Sequence, residues 1–291
     1  MYIFINLLIF LITLFLYIHI CDNLRKSNYL EIYEIKDISK DKFEDICNLK
    51  QPLLLKNITI IKDITYDYLI NNYKNFEINI IKNIENNIEI KLTIADAQKL
   101  FKKDTSFNYL SVNNSDFLKD TSLIKEFANN DLFLRPINTI IRNYDIIMAS
   151  KNFTTPLKYD IYSRNYFYML NGSVEITLCS PQNYKYLHII NDYEKLNFSS
   201  NINMNNIQEN YINDFNKIKF IRIILEENQI LNIPPYWFYS IKFLENDSII
   251  GNFKYKTFMN IITHVPELSK HFLQNNNIKT NITKIIDGNI K

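Results

Sequence analysis

The sequence predicts a mainly β fold with flanking helices, preceded by one membrane-spanning helix. Three observations carry that expectation. The C-terminal half strings together short strand-like runs at 145–148, 156–162, 166–170, 174–178, 220–225, 229–233, 238–243 and 248–255, with turn-forming residues between them. Many short strands so spaced argue a sandwich or barrel. The stretch 39–112 instead mixes apolar strand-like runs with helical periodicity, and residues 2–20 are almost wholly apolar.

Only Asn6, Thr13 and His19 interrupt that apolar run, and a bilayer core needs about 20 such residues in a helix. A cleaved secretory signal would show a basic start, a shorter apolar run of roughly 7–15 residues and a small-x-small cleavage site. None is clear around Ile20-Cys21-Asp22. The expectation is an uncleaved anchor, ahead of a cleaved signal and of a buried core helix. Arg25 and Lys26 follow the run and no basic side chain precedes it, so for this single-pass anchor the positive-inside rule favours a soluble domain in the cytosol, with the opposite orientation left open by so few charges. The expected division is an anchor at 1–21, a polar tether at 22–38, one folded domain at 39–274 and a flexible tail at 275–291.

Inside the domain, Ser39 is a candidate N-cap for a helix at 41–48 that sets Phe43 and Cys47 on one face. Pro52-Leu-Leu-Leu-Lys56 has the form of a buried strand, 67–73 and 95–101 read as helices, and 78–81, 88–92 and 107–112 read as strands. Residues 257–274 read as terminal helices.

Composition excludes several classes. The net charge is +2, and scattered lysines are matched by nearly as many carboxylates, so nothing argues a nucleic-acid partner. Cys21, Cys47 and Cys179 are too few and too far apart for a disulfide scaffold or a Cys-x-x-Cys metal site. With 47% hydrophobic and 14% aromatic residues the Asn-rich chain still has ample core material. There is no internal repeat and no Gly-rich phosphate loop.

Two segments carry chemistry. The first is Thr154-Thr-Pro-Leu-Lys-Tyr-Asp160, followed by Asn165, Gly172 and Cys179-Ser-Pro181. The second is Ile233-Pro-Pro-Tyr-Trp-Phe-Tyr239, followed by Gly251-Asn-Phe-Lys-Tyr255. Together they resemble the metal-bearing strands of the JmjC-type cupins, in the small-hydroxylase branch that includes the hypoxia-inducible-factor asparaginyl hydroxylase. There the first segment usually reads Thr-Pro-x-His-x-Asp and the second Ile-Pro-x-x-Trp-x-His. Lys50-Gln-Pro-Leu-Leu-Leu-Lys-Asn57 is similar to the strand that commonly opens these domains. The resemblance implies a double-stranded β-helix, the cupin jelly roll, over residues 39–274.

The resemblance also implies a non-haem iron site, which needs two neutral imidazoles and a carboxylate on one face. Asp160 matches the carboxylate, but Lys158 stands where the first His belongs and Tyr239 where the second belongs. A protonated lysine offers no lone pair and places a positive charge where the cation would sit. The lysine that pairs with 2-oxoglutarate in this branch aligns with Val174, which removes that cation as well. Thr155 and Asn252 match polar pocket positions, and each has an equally simple reading as a partner for backbone groups near strand ends. Lys158 and Asp160, two apart on one strand, are candidates for an ion pair in place of the metal, against the alternative of a solvated lysine at a degraded site. None of His19, His188, His264 and His271 falls in either motif.

The expected function is therefore a membrane-anchored, catalytically inactive pseudo-hydroxylase that binds or scaffolds, with no cofactor. Its partners are the membrane through residues 2–20 and a protein. One alternative is an Fe(II)/2-oxoglutarate-dependent protein hydroxylase with a rearranged site. Another is a structural membrane or virion component.

Overall fold

The computed structural model describes residues 2–61, 64–82 and 88–288, with side chains through Asn276. Its centre is two facing sheets. The larger runs, in spatial order, Tyr33–Ile35, Leu53–Leu55, Ile230–Asn232, Arg164–Asn171, Ile249–Thr257, Thr139–Ala149, Tyr109–Ser111, Glu77–Lys82 and Ile88–Thr93. The smaller runs Ile189–Asp192, Asn197–Ser200, Lys158–Tyr159, Phe238–Phe243, Ser173–Cys179 and Phe220–Glu226. Neighbours pair antiparallel except Tyr33–Ile35 on Leu53–Leu55, which is parallel. Sequence-distant strands thus lie side by side in both sheets, which bears out the expected jelly roll.

Side-chain alternation divides the core into two layers. Leu54, Ile147, Phe167, Met169 and Ile250 of the large sheet meet Val174, Ile176, Trp237, Tyr239 and Ile241 of the small one. Their immediate chain neighbours Leu53, Leu55, Ile146, Met148, Tyr166 and Tyr168 point the other way. There they bury Phe43 and Cys47 from the helix Lys40–Asn48, Leu69 from Tyr66–Tyr73 and Phe101 from Ile94–Lys103. Successive strand residues face opposite sides, so a sheet covered on both faces needs apolar residues in succession. That accounts for the unbroken Leu53-Leu54-Leu55, all buried.

Two caps follow the sequence closely. Ser39 is the N-cap residue of Lys40–Asn48, though its side chain makes no capping bond. Thr93 caps Ile94–Lys103 by accepting from the Asp96 amide, which satisfies an amide the helix leaves unpaired.

Elsewhere the structure departs from expectation. The run 156–162 yields only the strand Lys158–Tyr159, because Pro156 lacks an amide hydrogen and the Asp160 carbonyl is turned to accept from Tyr236. The hairpin Ile189–Asp192 with Asn197–Ser200 was not foreseen, nor were the helices Ser115–Asp120 and Ile124–Asn130. Residues 22–38 hold more than a tether, since the first helix continues to Leu24 and Tyr33–Ile35 joins the sheet edge. The backbone helix Val265–Gly288 runs through most of the stretch read as a tail. Pro266 in its first turn suits a helix start, and neither Pro nor Gly interrupts it before Gly288.

The N-terminal helix Tyr2–Leu24 has no buried residue. At 23 residues it is about 35 Å long, long and apolar enough to cross a bilayer.

Candidate functional site

The two motifs meet at the open end of the jelly roll. Lys158 lies directly opposite Tyr239 in the antiparallel pairing of Lys158–Tyr159 with Phe238–Phe243. Asp160 follows immediately, where the chain leaves the sheet. The positions read as metal ligands therefore converge.

Asp160 is held from three sides, all through Oδ2. The Tyr239 hydroxyl donates to it at 2.6 Å, Asn165 Nδ2 donates at 2.9 Å, and Lys254 Nζ lies 3.3 Å away. Asn252 extends the network, donating from Nδ2 to Asn165 Oδ1 at 2.8 Å and to the Tyr166 carbonyl at 2.9 Å. The expected Lys158–Asp160 ion pair is not formed: among the described residues the ammonium on Asp160 is that of Lys254. Cross-strand register decides this. Lys254 sits opposite Asn165, so its side chain and the Asn165 amide reach the same carboxylate.

Charge follows from these contacts. Burial alone would raise the Asp160 pKa, but the ammonium groups of Lys254 and Lys158 and the Tyr239 hydrogen bond hold it below the usual carboxylate range. Burial and the Asp160 charge push the Tyr239 phenol well above its ordinary value, so it stays neutral and donates. Lys254 is raised by Asp160 against the cost of burial. Lys158 is lowered, first by burial and then by Lys254, despite the attraction of Asp160 and Asp145.

These residues line a cavity of about 370 Å³ that also takes in Thr155, Asp145, Tyr162 and Lys256. Thr155 serves the backbone, its Oγ1 accepting from the Ile241 amide at 2.8 Å and its carbonyl from Ser240 Oγ at 2.5 Å. Asn252 lines the cavity while building the network under Asp160. Val174 does not line it. It is fully buried between the sheets, paired with Leu225 and Phe243.

The donor set does not fit a ferrous ion. The motif positions offer one carboxylate, whose Oδ2 is already engaged by a phenol, an amide and an ammonium; a second carboxylate of the cavity, Asp145, accepts from three backbone amides, and no imidazole is among the lining residues. His264 Nδ1 bonds the Asn260 carbonyl at 2.8 Å and its Nε2 the Tyr236 hydroxyl at 2.8 Å. His188 Nε2 sits 3.0 Å from Asp214, and His271 Nδ1 2.7 Å from the Tyr193 carbonyl. Among the described residues no three His, Cys, Asp or Glu side chains converge.

Asn165 and Lys254 stand in the two motif segments but were not assigned to the pocket, and Lys256 was not singled out from the sequence. One signal was there: in a strand, Asn252, Lys254 and Lys256 share a face, so placing Asn252 at the pocket places both lysines there too.

A family model for a cupin-like domain matches residues 39–261, most of the chain. Comparison with curated proteins finds no match.

Proposed function

We propose that this chain, which belongs to the cupin-like domain family, is a membrane-anchored binding or scaffolding protein whose jelly roll carries out no oxidative chemistry. The supporting observation is the state of Asp160. In an oxygenase that carboxylate must be free to face a metal alongside two imidazoles; here its Oδ2 receives Tyr239, Asn165 and Lys254. A fixed ammonium replaces the metal as counter-charge, and it has no open coordination position at which oxygen and a co-substrate could meet.

The helix Tyr2–Leu24 supplies the anchor in this reading, as a single pass with Arg25 and Lys26 keeping the cupin domain on the cytosolic side.

The test is metal analysis of the full chain purified in mild detergent and loaded anaerobically with Fe(II), together with an assay of 2-oxoglutarate decarboxylation. The expected result is iron well below one per chain and no decarboxylation above a protein-free blank. Stoichiometric iron with 2-oxoglutarate turnover would restore the hydroxylase reading.

A further inference from the structure

We propose that the cavity at the open end of the jelly roll is a receptor for a small oxyanion, with Lys158 and Lys256 as its cationic contacts. The inference rests on the non-catalytic reading of the same site and gives it a ligand class.

Hydrogen-bond and ion-pair bookkeeping around the cavity carries the argument. Three ammonium groups, Lys158, Lys254 and Lys256, share its inner wall with two carboxylates, Asp145 and Asp160. Both carboxylates already have hydrogen-bond partners, although only Asp160 also has an ammonium, since the amides on Asp145 carry no net charge. Asp145 accepts from the amides of Asn113 at 2.8 Å, Asn114 at 2.6 Å and Ile146 at 2.9 Å, and Asp160 accepts from Tyr239 and Asn165 and pairs with Lys254. At the rim, Lys195 faces Glu89 at 3.5 Å, while Asp192 accepts from the amides of Glu194 and Lys195.

Lys158 and Lys256 are the amines left without such a partner. Among the described residues neither makes an ion pair or a hydrogen bond. Lys158 has the Tyr239 ring 5.7 Å from its Nζ, and Lys256 has the Tyr162 ring at 4.8 Å. Lys256 is nearly inaccessible to solvent and Lys158 only partly exposed. Two part-desolvated cations facing aromatic rings across a polar cavity are costly when left alone, and an oxyanion offers both of them charge-assisted hydrogen bonds. Burial and the nearby Lys254 already weaken the hold of both amines on their protons, and a bound anion would reverse that.

Size and shape narrow the class. A volume of about 370 Å³ lies near the lower end for ligand sites, which suits a small carboxylate or a phosphate. One wall is apolar, through Ile147, Phe167 and Ile241, so a short hydrocarbon body is accommodated beside the charged end.

The experiment is calorimetric titration of the full chain, in phosphatidylcholine nanodiscs at low ionic strength, with inorganic phosphate and with succinate. A second arm repeats it in nanodiscs that also contain phosphatidic acid, which distinguishes a soluble oxyanion from a lipid headgroup. The expected result is saturable binding of at least one probe, weakened about tenfold or more in Lys158→Gln and in Lys256→Gln and unchanged in the surface variant Lys119→Gln. Competition by phosphatidic acid alone would assign the oxyanion to a headgroup. Absence of saturable binding with no effect of phosphatidic acid overturns the proposal, as does binding undiminished in both cavity variants. If a cavity variant loses its fold by circular dichroism, the other decides. Iron measured on the same preparations separates the two readings: missing anion binding without iron sinks only this one.

Discussion

Lys254 Nζ lies 3.3 Å from Asp160 Oδ2, from a strand that pairs beside the one bearing Asn165. Both partners are mostly sequestered, with side chains 21% and 16% exposed, so removing one leaves a poorly solvated charge. Lys254→Met is expected to lower the unfolding free energy by about 1–3 kcal/mol, less than for a fully buried pair because water still reaches the site. Lys158→Met, which removes an unpaired cation, should cost under about 0.5 kcal/mol or stabilise. Urea denaturation of the full-length variants measures both. The reverse ranking would make Lys158 the partner of Asp160 after all.

Lys158 and Tyr239 face each other across one strand pair, and Tyr239 already reaches Asp160. A Lys158→His, Tyr239→His, Lys254→Met triple variant should therefore present two imidazoles and a freed carboxylate together. Saturable Co(II) uptake with visible absorption is the expected outcome, where the native chain shows neither. A triple variant that folds yet takes up no more cobalt than the native chain would mean that these positions do not converge as described.

The Asp160 carboxyl is held below its ordinary pKa in the folded protein, burial notwithstanding, by Lys254, Lys158 and Tyr239. A depressed folded pKa contributes stability that is fully present above the unfolded value of about 3.9 and is lost as pH falls through the folded value. The stability difference between native chain and Asp160→Asn should thus be level from neutrality down to about pH 5 and shrink below about pH 4. A difference that stays constant down to pH 3 would show that the carboxyl is not depressed.

Gly172 turns the chain between Arg164–Asn171 and Ser173–Cys179 with φ +77°, and a Cβ there would come within 2.9 Å of Ser248 Oγ and 3.1 Å of Ser248 Cα. Ser248 is not free to retreat, because its hydroxyl donates to the Ser173 carbonyl at 2.9 Å. Gly172→Ala should cost about 1–3 kcal/mol from the backbone conformation and the contact together. The denaturant midpoint should shift with an unchanged slope; no shift would contradict the described turn.

Much of the fold is legible from residue order because covered sheets impose a pattern. Phe167 and Met169 had to alternate with Tyr166 and Tyr168, and the whole run reads as a strand. The helices Ser115–Asp120 and Ile124–Asn130 escape such reading because six and seven residues are too few to display a helical period. Ile189–Asp192 and Asn197–Ser200 escape it because polar residues fall on both their faces. At the site, the residue types at 158, 160 and 239 were plain, but which lysine neutralises Asp160 was not. That depends on the register of Ile249–Thr257 against Arg164–Asn171, fixed by the packing of Phe253 and Tyr255 on the other side of the sheet. Position Val174 shows the converse limit, since a residue can match a pocket position and still be absorbed into the core.

The first helix ends at Leu24 and the sheet edge begins at Tyr33, a gap that could stretch at most about 30 Å. It is also pinned along its way, by Arg25 on the Asn48 carbonyl, Lys26 over the Tyr236 ring and Asn28 receiving the Gln182 amide. A leash so short and so fastened leaves the domain little room to roam, and a pull on the N-terminal helix travels straight into the strand beside Leu53–Leu55. In the proposed anchored, ligand-binding reading, whatever this cupin grips it grips at arm's length from its mooring.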